Sequence, residues 1–65
     1  NDIDKLVEAL RAIRKAAMEH PCFSPIIYAS RDYARLEDVG GDVAAWTLIA
    51  ITADEALDAV GKGEL

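Results

Sequence analysis

His20 and Cys22 are the only histidine and cysteine in the chain, and they stand two apart around Pro21. An imidazole touching a thiol makes a nucleophile–base pair, and the two side chains supply half of the four ligands that zinc prefers. An extended His-Pro-Cys points those side chains apart, however, and nothing downstream repeats the spacing. Glu19, or an acidic residue from another subunit, could complete such a site. The expectation is structural: a histidine ending a helix near the negative end of its dipole, beside a half-buried thiol.

A second candidate group is basic. Arg31 and Arg35 lie four apart on one helical face, and Arg11, Arg14 and Lys15 stand on the preceding segment. Guanidinium forks match phosphate and carboxylate geometry, so these five residues form a candidate anion-binding patch. The resting expectation is that they pair with Glu8, Glu19, Glu37 and Asp38. Reading DNA in a helix-turn-helix manner needs polar, mostly basic residues on the helix that follows. That stretch is apolar, so a nucleic-acid-binding regulator is the alternative reading and not the leading one.

The carboxylates form two sets: Glu37, Asp38 and Asp42 around Gly40-Gly41, and Asp54, Glu55 and Asp58 on one helical arc. Acid–base work needs one carboxyl in an apolar pocket that raises its pKa, and nothing in these stretches builds one. A calcium loop needs an alternating series of oxygen ligands, which Glu-Asp-Val-Gly-Gly-Asp lacks. The reading is of a non-enzyme with no catalytic residue, metal or cofactor.

Charge narrows the partner. Seven Lys/Arg against twelve Asp/Glu give a net charge of −5. Residues 1–35 sum to +1 and residues 36–65 to −6, so the C-terminal half is acidic. Such a surface opposes attraction to nucleic acid or anionic lipid and suits a basic partner, or simply solubility. A single cysteine and no signal-peptide pattern fit a reducing cytoplasm. The apolar run from Val43 to Ile51, broken only by Thr47, is about half of what a bilayer-spanning helix needs, so no membrane is implied. The first residue is Asn1 and not Met, so the 65 residues read as one small domain, complete or cut from a longer chain.

Three elements must position these groups. Ile3, Leu6, Leu10, Ile13 and Ala17 step by three and four, with Asp2 as the expected cap and His20-Pro21 as the stop, predicting a helix over 3–19. Ser24-Pro25 opens a second over 25–39, with a Phe23–Tyr28 staple, the stripe Ile26, Ala29, Tyr33, Leu36, and a stop at Gly40-Gly41. The third, over 42–60 with Asp42 as cap, carries Val43, Trp46, Ala50, Ala53, Leu57 and Val60 on one stripe. Leu48, Ile49 and Ile51 fall outside it, so its first half is apolar nearly all round and must be buried on several sides. A strand over 45–51 before a short helix started by Thr52-Ala53-Asp54-Glu55 is the competing reading.

The expected architecture is an all-α three-helix bundle in which twelve alanines favour close helix approach. A chain this short buries only about 60% of its unfolded surface, and with no disulfide or metal it needs good packing or company. The apolar excess points to the third helix as the place of contact. Val43, Trp46, Leu48, Ile49 and Ile51 form the candidate interface, for a second copy (a dimer or higher oligomer) or for another protein. The role that follows is regulatory or inhibitory, by occupying a partner's surface.

Overall fold

Asn1 caps the first helix, one residue earlier than the Asp2 expected from the sequence. Its side-chain oxygen accepts from the Asp4 N–H at 2.9 Å, while the Asp4 carboxylate reaches back to the Asn1 amino group, a reciprocal capping box. Helix α1 then spans Asp2–Met18, with Asp2 and Asp4 at the positive end of the dipole. The computed structural model describes residues 1–63, and among these every regular element is helical.

Helix α2 spans Pro25–Ser30. The Ser24 hydroxyl accepts from the Ile27 N–H, Pro25 fills the first helical position, and Phe23 packs on Tyr28 with ring centroids 5.3 Å apart. The expected helix over 25–39 does not run through. Arg31 takes a left-handed conformation (φ 55°, ψ 38°), and the Asp32 carboxylate starts a new helix by accepting from the Arg35 N–H. Helix α3 is therefore a separate element, Tyr33–Val39. The step pattern of the apolar residues passes unbroken across this joint, which is why it suggested one helix.

Gly40 (φ 57°, ψ −163°) makes the corner into α4, Gly41–Gly61, in a region of backbone space open essentially only to glycine. No side chain caps α4, so Asp42 sits in its first turn and not at the cap. The helix is continuous for 21 residues, which overturns the strand alternative over 45–51.

Among the described residues the fold is an all-α bundle of four helices, with α1, α2 and α3 arranged around α4. Helix α1 lies antiparallel along one flank, with Val7 near Val60 and Arg14 at Asp54, while α2 and α3 cover another. The core is small: Ala17, Ala50 and Ala53 let α1 and α4 approach closely, and Ile27, Leu36 and Ile51 fill the space under α2 and α3. Thr47, fully buried, accepts the Ser24 N–H on its hydroxyl at 3.0 Å and ties the start of α2 to α4.

The molecule is open for its mass. Its accessible surface is 4510 Å², against about 4,000 Å² expected for a monomer of 7.0 kDa. The radius of gyration is 12.4 Å, where a compact chain of this length has about 11 Å.

Candidate functional site

Three sides of α4 are used in three ways. One packs on α1 and one on the α2–α3 arm; the third, between α1 and α3, is bare.

The seam where α1 and the arm both reach α4 is ionic. Asp54 accepts from Arg14 of α1 on one carboxylate oxygen and from Arg31 of the α2–α3 joint on the other. Arg31 also donates to the Tyr28 carbonyl, and its guanidinium lies over the Tyr28 ring, 4.6 Å from the centroid. Partial burial by itself would raise the Asp54 pKa. The bonds from Arg14 and Arg31, with the nearby Tyr28 hydroxyl and the charge of Arg31, outweigh that and hold the carboxyl below its ordinary value. Arg11 joins Arg14 and Arg31 along an open cleft of about 600 Å³, whose other wall carries Asp54, Glu55 and Asp58. Three guanidiniums face three carboxylates there, so the cleft has no net charge to offer an anion.

The structure thus splits the basic group predicted from sequence. Arg11, Arg14 and Arg31 share the cleft, Arg35 lies in another hollow beside Asp32 and Val39, and Lys15 is exposed on α1. The partner of Arg14 and Arg31 is Asp54, not the expected Glu8, Glu19, Glu37 or Asp38. Asp54 was legible only as part of an acidic arc, because its contacts lie 40 and 23 residues away.

His20 and Cys22 meet through the backbone. The Cys22 N–H donates to His20 Nδ1 at 3.1 Å, which places the ring proton of a neutral imidazole on Nε2. The same ring stacks on Trp46, 4.0 Å between centroids and 10° from parallel. His20 therefore closes the α1 end and covers the indole, while the thiol is half-buried. Among the described residues, no group of three or more His, Cys, Asp or Glu is placed to hold a metal ion.

The bare side of α4 carries Ala45, Leu48, Ile49 and Thr52, all exposed. Leu48 is 45% exposed and Ile49 39%. Leu48 stands between two shallow apolar hollows, one shared with Leu10 and Ile13 of α1, the other with Tyr33 and Leu36 of α3. Ile13 is itself 48% exposed. The charged groups here are Glu37, at the α3 edge, and Glu55, which accepts from the Tyr33 hydroxyl at 2.7 Å. That bond, then the burial and charge around it, pushes the Tyr33 phenol up from its ordinary pKa.

Of the five residues expected at an interface, only Leu48 and Ile49 lie on this face. Trp46 is half-buried under His20, and Val43 is half-buried beside Ile27 and Val39. Ile51 is a correction: it is 1% exposed and buried with Thr47 in the core. Its place in the core follows from helical geometry, since Thr47 and Ile51 are four apart and share a face.

No helix among the described residues is long and apolar enough to cross a membrane. Comparison of the chain with protein-family models, with curated proteins and with solved structures finds no match.

Proposed function

We propose that this chain is a non-enzymatic docking module that acts by presenting the bare side of α4, between α1 and α3, to a helix of another polypeptide. The observation that carries the reading is the vacancy itself. Helix α4 is packed on two sides, and its third exposes Leu48 and Ile49 between flanking helices that also contribute apolar side chains. A helix laid there would complete a four-helix cross-section and cover an apolar patch of the kind that marks association sites. The role is regulatory or inhibitory, exerted by occupancy, in a reducing cytoplasm that suits the free thiol of Cys22.

Whatever binds the folded chain and not the unfolded one raises its melting temperature. Thermal unfolding measured across protein concentration, and with an added amphipathic helical peptide, should show that rise. Leu48→Asp should abolish it while keeping the helical circular dichroism. A melting temperature indifferent to both additions removes the proposal.

A further inference from the structure

Resting on the docking reading, we infer that the occupant of the bare α4 face is an amphipathic helix of another protein, basic along one flank. Its apolar stripe meets Leu48 and Ile49, and its Lys/Arg flank meets α3. The apolar half of that description follows from the α1 side of the face. The hollow there is walled by Leu10, Ile13, Leu48, Ile49 and Thr52 among others, and no charged side chain lines it. Ile13 and Leu6, seven apart on one side of α1, are both exposed, so the apolar strip runs on toward the start of α1.

The basic half follows from the α3 side. Glu37 lines the hollow that Tyr33 and Leu36 share with Ala44 and Ala45. Tyr33 donates its hydroxyl proton to Glu55 at the other end of the same edge. Glu55 also borders the ionic cleft, but this bond holds its carboxylate against α3. Glu37 and Glu55 are both exposed. Among the described residues no lysine or arginine lines either hollow. Arg11, Arg14 and Arg31 lie in the cleft across α4, and Arg35 lies in the hollow beside Val39.

The spacing of the two carboxylates describes the partner further. Glu37 stands level with Ala45, and Glu55 follows ten residues later along α4, a separation of about 15 Å at 1.5 Å per residue. A helix laid along the groove meets both with cations about three turns apart. A neutral or acidic flank would strip water from these carboxylates and give nothing back, and the net charge of −5 repels acidic chains at long range.

Fluorescence anisotropy with a labelled designed helix tests this. The probe carries a leucine stripe, alanine on one flank, and two lysines about three turns apart on the other. One control replaces the lysines with glutamates; a second keeps the lysines and replaces the leucine stripe with serine. The lysine probe should bind at least about fivefold tighter than the glutamate probe at low salt, and that advantage should shrink as salt rises. The serine probe should not bind. Glu37→Lys should erase the advantage with helix content unchanged. Glu55→Gln, which keeps an acceptor for the Tyr33 hydroxyl, should reduce it.

Equal binding of the lysine and glutamate probes, lost in Leu48→Asp, overturns the basic flank and leaves the docking reading standing. If neither probe binds, both readings fall. Lysine-probe binding untouched by Leu48→Asp overturns the inference, because the attraction is then to the charge of the whole chain. A dimer of the chain alone that Leu48→Asp dissociates and the lysine probe cannot displace also overturns it, by putting a second copy on the face.

Discussion

His20 lies flat on Trp46, their rings 4.0 Å apart, and so joins the end of α1 to the first turns of α4. Trp46 is the only tryptophan, which makes the contact directly observable. His20→Ala should uncover the indole and shift its emission to longer wavelength. Aromatic pairs contribute about 0.5–1.5 kcal/mol beyond their buried area, so the variant should lose at least about 1 kcal/mol in urea unfolding. Unchanged emission would mean that the stack does not persist in solution.

Asp54 makes stability depend on acid in a defined direction. Its carboxyl is held below the ordinary value of 3.8, so its ionised form favours the folded chain. That contribution is complete above the unfolded pKa and is lost as pH falls through the depressed folded value. Asp54→Asn, which leaves two guanidiniums without a counter-charge, should cost about 1–2 kcal/mol at pH 7 given the partial exposure of the cluster. The gap between wild type and variant should hold down to about pH 5 and shrink below the unfolded carboxylate range. A gap that widens in acid would contradict the assignment.

Arg31 combines backbone strain with an ion pair, and two substitutions separate them. Both Arg31→Ala and Arg31→Gly lose the bond to Asp54 and the contact with Tyr28. Only alanine keeps the penalty of the left-handed conformation, on the order of 1 kcal/mol. Chemical denaturation should therefore rank the glycine variant above the alanine variant by about that amount. Equal stability would show that residue 31 relaxes out of the left-handed region once the side chain is gone.

Thr47→Val keeps the shape of a buried side chain and removes the acceptor for the Ser24 N–H. An orphaned N–H at a helix entry costs about 1–3 kcal/mol, so the variant should be destabilised despite its greater hydrophobicity. Hydrogen exchange at Ser24 should accelerate at the same time.

Much of this arrangement was legible in the residues. Ser24-Pro25, the Phe23–Tyr28 staple and the stop at Gly40 are local devices, and each stands where the spacing placed it. The joint at Arg31-Asp32 was hidden because a non-glycine residue makes the left-handed turn, held by bonds that only the fold supplies. The third helix misled in a different way. A single stripe describes a helix with one buried side, and α4 has two. The residues Trp46, Ala50, Ala53 and Leu57 follow the α1 side, whereas Thr47, Ile51 and Asp54 follow the arm. Leu48 and Ile49 stood out as surplus, yet which of the extra apolar residues was surplus depended on where α2 and α3 lay.

The central place of α4 has a consequence for how the molecule comes apart. Helix α1 and the α2–α3 arm each pack on α4 and hardly on each other; the two sides are bridged mainly at Asp54. Such a chain need not open all at once. The arm, short-helixed and hung on the glycine corner at Gly40, can lift away while the α1–α4 hairpin keeps its amide protons, so native-state exchange should resolve two foldons with the arm the less protected. Protonating Asp54 removes the bridge between them, and acid should then turn one cooperative unfolding event into two.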